Sequence, residues 1–246
     1  GLEAICNAIP GDPIPIACDG LDDDCDGEID GSDLCRKAAY INVSAENVTE
    51  LHVVNEDGNG RAFIATDIAG NDIKDVRWLY DGSLIVFNFG HGIFVALPDG
   101  SRITRVSGIG GRVGDTLPTP SPTEGLIAFV SDRDGLGDVY LVNSGRQRNI
   151  RRLTNLEREM YQLEWSPNGE VLAFIVSLEG GDCDILTIGK EGGNTTSLRD
   201  VFNVGSFGCF DYIRWSPNGT FLLYGSAGDI FRADLEMGEI RNLTNN

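Results

Sequence analysis

The string Trp165-Ser166-Pro167-Asn168-Gly169-Glu170-Val171-Leu172-Ala173-Phe174 decides the fold. Pro167 presets an extended entry, and Asn168-Gly169 makes a two-residue hairpin turn that tolerates positive φ. Trp165 ends one strand, and the aliphatic-aromatic run after the turn forms the next. That run is apolar without alternation, as a strand buried on both faces should be. The same string recurs as Trp78-Leu-Tyr-Asp81-Gly82-Ser-Leu-Ile-Val-Phe87, Pro120-Ser-Pro-Thr-Glu124-Gly125-Leu-Ile-Ala-Phe129 and Trp215-Ser-Pro-Asn218-Gly219-Thr-Phe-Leu-Leu-Tyr224. The steps between units are 42, 45 and 50 residues, in or slightly above the range of four-stranded propeller blades.

Each unit continues with a second apolar run, over 92–97, 138–143, 184–189 and 229–234. Most then close with a short polar-apolar strand such as Arg151-Arg-Leu-Thr154 or Arg241-Asn-Leu-Thr244. These units resemble the TolB-type, WD40-like propeller family, whose repeats read W-S-P-D-G-x-x-I-A-F, then I-Y-x-x-D, then R-x-L-T. The resemblance spans roughly residues 70–246. It implies an all-β propeller of about five four-stranded blades with the first incomplete. In that first unit Ala39–Val43, Thr49–Asn55 and Arg61–Thr66 read as second, third and fourth strands, with no Trp-Ser-Pro strand ahead of them. The Trp residues are expected to pack between blades rather than to stack on a ligand.

Residues 1–37 have a different composition, and two domains are expected: a Cys/Asp-rich extension over 1–37 and a propeller over 38–246. The extension holds ten acidic groups against Arg36 and Lys37, a charge of −8. Such a segment needs disulfides or a metal to hold a structure. Within it Asp22-x-Asp24-x-Asp26-Gly27-Glu28-Ile29-Asp30-x-x-Asp33 follows the calcium-loop template. Carboxylates at alternate positions converge on one hard cation, Gly27 allows the sharp turn, and Glu28 offers its backbone carbonyl. Asp33 stands where the template has the longer Glu, so a modest affinity for Ca2+ is expected. The segment also resembles the C-D-G-x-D-x-D-C-D-G-x-x-D metal-binding motif of bacterial and archaeal surface proteins, and more loosely thrombospondin type 3 repeats. That resemblance implies structural calcium.

The whole chain carries 38 acidic and 19 basic residues, a net charge of −19 over 246 residues. That field repels phosphate backbones and argues against a nucleic-acid partner. No apolar run reaches the ~18 residues of a membrane helix. Six Cys suit an oxidising compartment. Cys18 with Cys25 and Cys6 with Cys35 are one choice among fifteen connectivities. Cys183 and Cys209 pair as the two outside the extension. Five N-x-S/T sequons, at Asn42, Asn47, Asn194, Asn218 and Asn242, are candidate glycosylation sites. A start at Gly1 rather than Met reads as a removed signal peptide or a piece of a longer precursor. The expected location is extracellular, at the cell surface or envelope.

The expected function is a structural or protein-interaction module whose partners are further copies of itself or other surface proteins. The alternative is a carbohydrate- or peptide-binding propeller, or a propeller lyase or hydrolase. Against catalysis, the sequence has no G-x-S-x-G elbow and no His pair at metalloprotease spacing. His52 falls in an expected strand and His91 in an expected turn. Asp132/Asp134 and Asp182/Asp184 are expected at solvated hairpin tips rather than as glycosidase carboxylates. The missing strand of the first unit points to self-assembly. Leu2–Ile9 is the spare β-competent stretch, and Ile14–Ile16 is a poorer one because of Pro13 and Pro15. Such a strand closes its own blade or completes that of a second copy, and the second arrangement generates a filament.

Overall fold

A computed structural model describes residues 37–55, 58–66, 72–107, 114–145, 149–202 and 209–244. The chain forms antiparallel sheets in sequence order. The first holds β1 (Lys37–Val43), β2 (Thr49–Asn55) and β3 (Ala62–Thr66). The second holds β4 (Ile73–Trp78), β5 (Ile85–Phe89), β6 (Gly92–Ala96) and β7 (Ile103–Arg105). The third holds β8 (Asp115–Pro120), β9 (Leu126–Ser131), β10 (Asp138–Asn143) and β11 (Arg151–Arg152). The fourth holds β12 (Met160–Trp165), β13 (Val171–Ser177), β14 (Cys183–Gly189) and β15 (Thr196–Ser197), followed by one helical turn, α1 (Leu198–Phe202). The fifth holds β16 (Phe210–Trp215), β17 (Phe221–Ser226), β18 (Asp229–Asp234) and β19 (Glu239–Asn242). The chain divides into two compact units between Arg105 and Val106.

The turn chemistry read from the sequence operates as expected. Gly82, Gly169 and Gly219 have φ of 69°, 69° and 72°. Their N–H groups donate to the carbonyls of Leu79, Ser166 and Ser216 at 2.9, 2.8 and 2.8 Å. A side chain at these glycines would sit in the left-handed region, which costs little only without a Cβ. The Ser of two Ser-Pro pairs closes the same turn: Ser166 Oγ accepts from Val171 N at 2.9 Å, and Ser216 Oγ from Phe221 N at 3.1 Å. Every first strand carries a register shift against its neighbour, as between Thr116 and Thr119 or Met160 and Gln162. In β4 and β8 the positive-φ residues Asp75 and Leu117 fall inside the shifted stretch.

The cores follow the second strands. Ile85, Ile127, Leu172 and Leu222 are 0% exposed. The aromatic residues two positions on, Phe87, Phe129, Phe174 and Tyr224, are 0–1% exposed. Burial lifts the Tyr224 phenol to about 12. In three of these sheets the aromatic stacks on a ring directly across in the third strand: Phe87 on Phe94, Phe129 on Tyr140 and Tyr224 on Phe231. One detail departs from the sequence reading. Asp184 and Cys183 lie within β14 and are buried, whereas a solvated turn was expected there. Each side chain has a partner that makes burial tolerable, as described next.

Candidate functional site

Carboxylates of the third strands, buried at Asp138 and Asp184 and half-buried at Asp229, define a recurrent device. Asp138, Asp184 and Asp229 occupy the same place in the third strand of three sheets, two residues before the residue paired with the core aromatic. Asp138 accepts from Thr154 Oγ1 at 2.6 Å and from Leu156 N at 2.7 Å, and it pairs with Arg152. Asp184 accepts from Ser197 Oγ at 2.6 Å. Asp229 accepts from Thr244 Oγ1 at 2.8 Å and Asn242 Nδ2 at 2.9 Å. The R-x-L-T segment is thereby tied to the sheet by its Thr as much as by its short ladder. Burial raises the Asp184 carboxyl, while the Asn242 and Thr244 hydrogen bonds hold Asp229 below the usual carboxylate range. In the second sheet the place belongs to Gly92, where a Cβ would meet Arg105 Nε at 2.6 Å. In the first it belongs to Glu50, which bonds His52 Nε2 at 3.0 Å and is lowered chiefly by it.

The remaining charged groups also bind strands together. Of the paired acids picked from the sequence, Asp132 caps Gly114 N at 2.7 Å, and Asp134 accepts from the Tyr140 hydroxyl. Between them Arg133, which the sequence reading passed over, pairs with buried Asp115 at 2.8 Å and lies 4.7 Å over the Tyr140 ring. Lys190 bridges Glu124 and Glu170 at 3.0 and 2.9 Å, which holds it firmly protonated. His52 is in β2, and His91 is in the turn after β5 with its carbonyl accepting from Arg105. Cys183 and Cys209 form a disulfide with Cα atoms 4.7 Å apart.

Successive sheets of the second unit are stitched by indole groups. Trp165 Nε1 donates to the Thr119 carbonyl at 2.9 Å, and Trp215 Nε1 to the Glu164 carbonyl at 3.2 Å. Both acceptors directly precede the equivalent of Trp165 in the neighbouring sheet. Trp78, the same residue in the second sheet, has no hydrogen-bond partner among the described residues.

That exception coincides with the most conspicuous binding surface. Among the described residues no strand pairs with β1 on the side away from β2. Ala38 is exposed and Tyr40 half-buried, although their counterparts Ile85 and Phe87 are sealed. A row of backbone donors and acceptors left on such an edge is a template for another strand. A second concave feature is a recess of about 490 Å3 lined by Arg152, Leu156, Ile188 and Asn194 among others.

The sequons sit differently in the structure. Asn42, Asn47 and Asn194 are exposed, and Asn47 has a φ of 59° in the turn after β1. Asn218 is exposed, with its Oδ1 accepting from Ser216 Oγ and Thr220 Oγ1. Asn242 is half-buried and engaged by Asp229. The calcium-loop residues Asp22, Asp24, Asp26, Glu28, Asp30 and Asp33 lie outside the described residues, as do Cys6, Cys18, Cys25 and Cys35. Among the described residues no group of three or more His, Cys, Asp or Glu is placed to hold a metal ion. No described helix is long and apolar enough to cross a membrane.

No family model matches the sequence, and no curated protein matches it. Solved structures match the fold. TolB from Acinetobacter baumannii is similar with a TM-score of 0.62 at 18% identity, over 87% of this chain and 54% of that one. Oligogalacturonate lyase in complex with manganese is similar with a TM-score of 0.62 at 14% identity, over 77% and 58%. A chain of the nidogen/laminin complex is similar with a TM-score of 0.56 at 13% identity, over 84% and 79%. The chain spans little more than half the length of the first two. At these identities the likeness shows the fold alone: an all-β, TolB-type and WD40-like propeller architecture.

Proposed function

We propose that the chain is an extracellular, calcium-stabilised propeller module with a structural or protein-interaction task and no catalysis of its own. The observation that carries this reading is the use of its buried carboxylates. Asp115, Asp138 and Asp184 each hold an arginine or a strand end in place. A carboxylate committed to two or three such bonds is poorly placed to transfer protons to a ligand. The Cys183–Cys209 bridge and the sequons support an oxidising exterior. The acidic run from Asp22 to Asp33 supports calcium, because seven carboxylates so close in sequence repel one another strongly without a cation.

Metal analysis of protein purified without chelators tests the reading, with one calcium per chain expected. Chelation should then open residues 1–37 to protease while the sheets stay resistant. Calcium-free native protein overturns it. The rival reading, a carbohydrate- or peptide-binding propeller or a lyase, has the recess beside Arg152 and Asn194 to use. Turnover or tight binding on a polysaccharide and peptide panel would favour that rival. Self-assembly by strand donation depends on what occupies the edge of β1.

A further inference from the structure

The five sequons differ once each is placed in the fold, and four of them have a structural origin. Asn218 belongs to the hairpin turn after β16. Its Oδ1 accepts from Ser216 Oγ at 2.8 Å, Thr220 Oγ1 at 3.0 Å and Thr220 N at 3.3 Å. The matching turn after β12 uses Asn168 in the same way, with bonds from Ser166 Oγ at 2.7 Å and Glu170 N at 3.2 Å, and has no sequon. Asn242 belongs to the R-x-L-T clamp. Its Nδ2 reaches Asp229 at 2.9 Å, as Arg152 reaches Asp138 in the third sheet, again without a sequon. Thr244 Oγ1 donates to Asp229 and accepts from Ile230 N at 2.9 Å. Both patterns are by-products of repeats that hold strands together.

The two sequons of the first sheet are tied into the hairpin of β1 and β2. Ser44, the hydroxyl of the Asn42 sequon, accepts from Glu46 N and Val48 N at 3.3 and 3.2 Å. Asn42 itself hydrogen-bonds Glu50. Thr49, the hydroxyl of the Asn47 sequon, is buried and accepts from Ile73 N at 3.2 Å. Asn47 sits at a φ of 59°, a conformation that Asn tolerates better than most residues.

Asn194-Thr195-Thr196 has no such origin. It lies in the connection from β14 to β15, after Gly192 and Gly193 at φ of 95° and 110°. Asn194 and Thr196 are exposed, and neither side chain has a hydrogen-bond partner among the described residues. The clamp to Asp184 falls to the next residue, Ser197. Beside Asn194 opens the recess of about 490 Å3, lined also by Leu156 and Ile188 and by no carboxylate among the described residues. A substituent on this amide has room there, and every bond named above stays in place.

We propose that Asn194 is the N-glycosylation site of this chain and that the fold withholds the other four sequons. In the step, Asn194 Nδ2 bonds to C1 of a sugar activated as a diphosphate ester. The C1–O bond breaks, the diphosphate leaves with that electron pair, and the amide gives up one proton. The bulky, hydrophilic product belongs on an exposed connection. On Asn242 the same sugar takes the place of an amide hydrogen beside Asp229. The proposal rests on the exterior location read above.

The unaltered full chain, secreted from a eukaryotic cell line that attaches N-linked glycans, tests it. Release with peptide N-glycosidase in heavy-oxygen water turns each glycosylated Asn into a labelled Asp that peptide mapping locates. Label at Asn194 and at no other sequon is expected. A bare Asn194, or label at Asn42, Asn47, Asn218 or Asn242, overturns the proposal. A second measurement uses protein made without glycans. Asn194→Gln should leave its urea midpoint unchanged, whereas Asn242→Ala should lower it. A fall at 194 as large as that at 242 gives Asn194 a role in the fold and overturns the assignment. Neither readout depends on metal content. Calcium-free protein modified at Asn194 therefore refutes calcium alone, and calcium-loaded protein bare at Asn194 refutes the glycan alone.

Discussion

Phe174 and Tyr40 hold the same place in two sheets, yet Phe174 is 0% exposed and Tyr40 keeps part of its ring in solvent. The difference does not come from the ring or from the third strand, since both residues pair with one in register. It comes from the strand on the other side. Phe174 is covered by Leu163 of β12, whereas β1 has no such neighbour among the described residues. In this architecture the first strand seals the apolar face of the second, and the turn string Trp-Ser-Pro-Asn-Gly specifies both at once. Where that string is absent the core aromatic persists but loses its cover.

The comparison can be broken most forcefully at the two rings. Phe174→Ala should lower stability by about 3–5 kcal/mol, as for other fully buried aromatic residues. Tyr40→Ala, at a half-buried ring, should cost well under half of that. Denaturant midpoints of the two variants check this, and equal losses would show that the two rings are sealed alike. A second asymmetry is covalent. The Cys183–Cys209 bridge ties β14 to the approach to β16 across a separation of 26 residues. Replacing both by Ser should remove about 2–4 kcal/mol. Thermal unfolding of the double variant checks this, and an unchanged midpoint would show the bridge to be dispensable.

The three Gly turns at Gly82, Gly169 and Gly219 and the continuous apolar runs behind the turns made most of this fold legible. Glycine at positive φ and a strand buried on both faces leave marks in local sequence. The fourth strands were harder, because β11 and β15 are two residues each. Their attachment depends on Asp138 and Asp184, whose partners lie 13 to 16 residues away. The role of Arg133 was invisible for the same reason: it meets Asp115 only after β8 and β9 pair.

The indoles give a smaller effect that sharpens the same contrast. Trp165→Phe keeps the ring and removes the bond to the Thr119 carbonyl, so it should cost about 1 kcal/mol. Trp78→Phe removes no hydrogen bond made among the described residues, so it should be near-neutral in the same denaturant titration. A loss at 78 as large as that at 165 would show that both indoles donate a bond that matters.

The smallest effect concerns acid, and the two clamps should answer it with opposite signs. Asp229 is held below the usual carboxylate range by Asn242 and Thr244. Its contribution is therefore complete above the unfolded value near ~3.9 and is lost as pH falls through the folded value. Asp184 is raised by burial, so the folded state favours its protonated form. Its charged form weighs against folding, and that penalty grows as pH rises from the unfolded value through the folded one. Acidifying from neutral to about pH 3 should thus narrow the stability gap between the native chain and Asp229→Asn. Over the same range the gap to Asp184→Asn should move in favour of the native chain. Urea midpoints across that range read both. If the two gaps narrow together, burial does not dominate at Asp184, and the hydrogen bond from Ser197 governs that clamp as Asn242 and Thr244 govern the other.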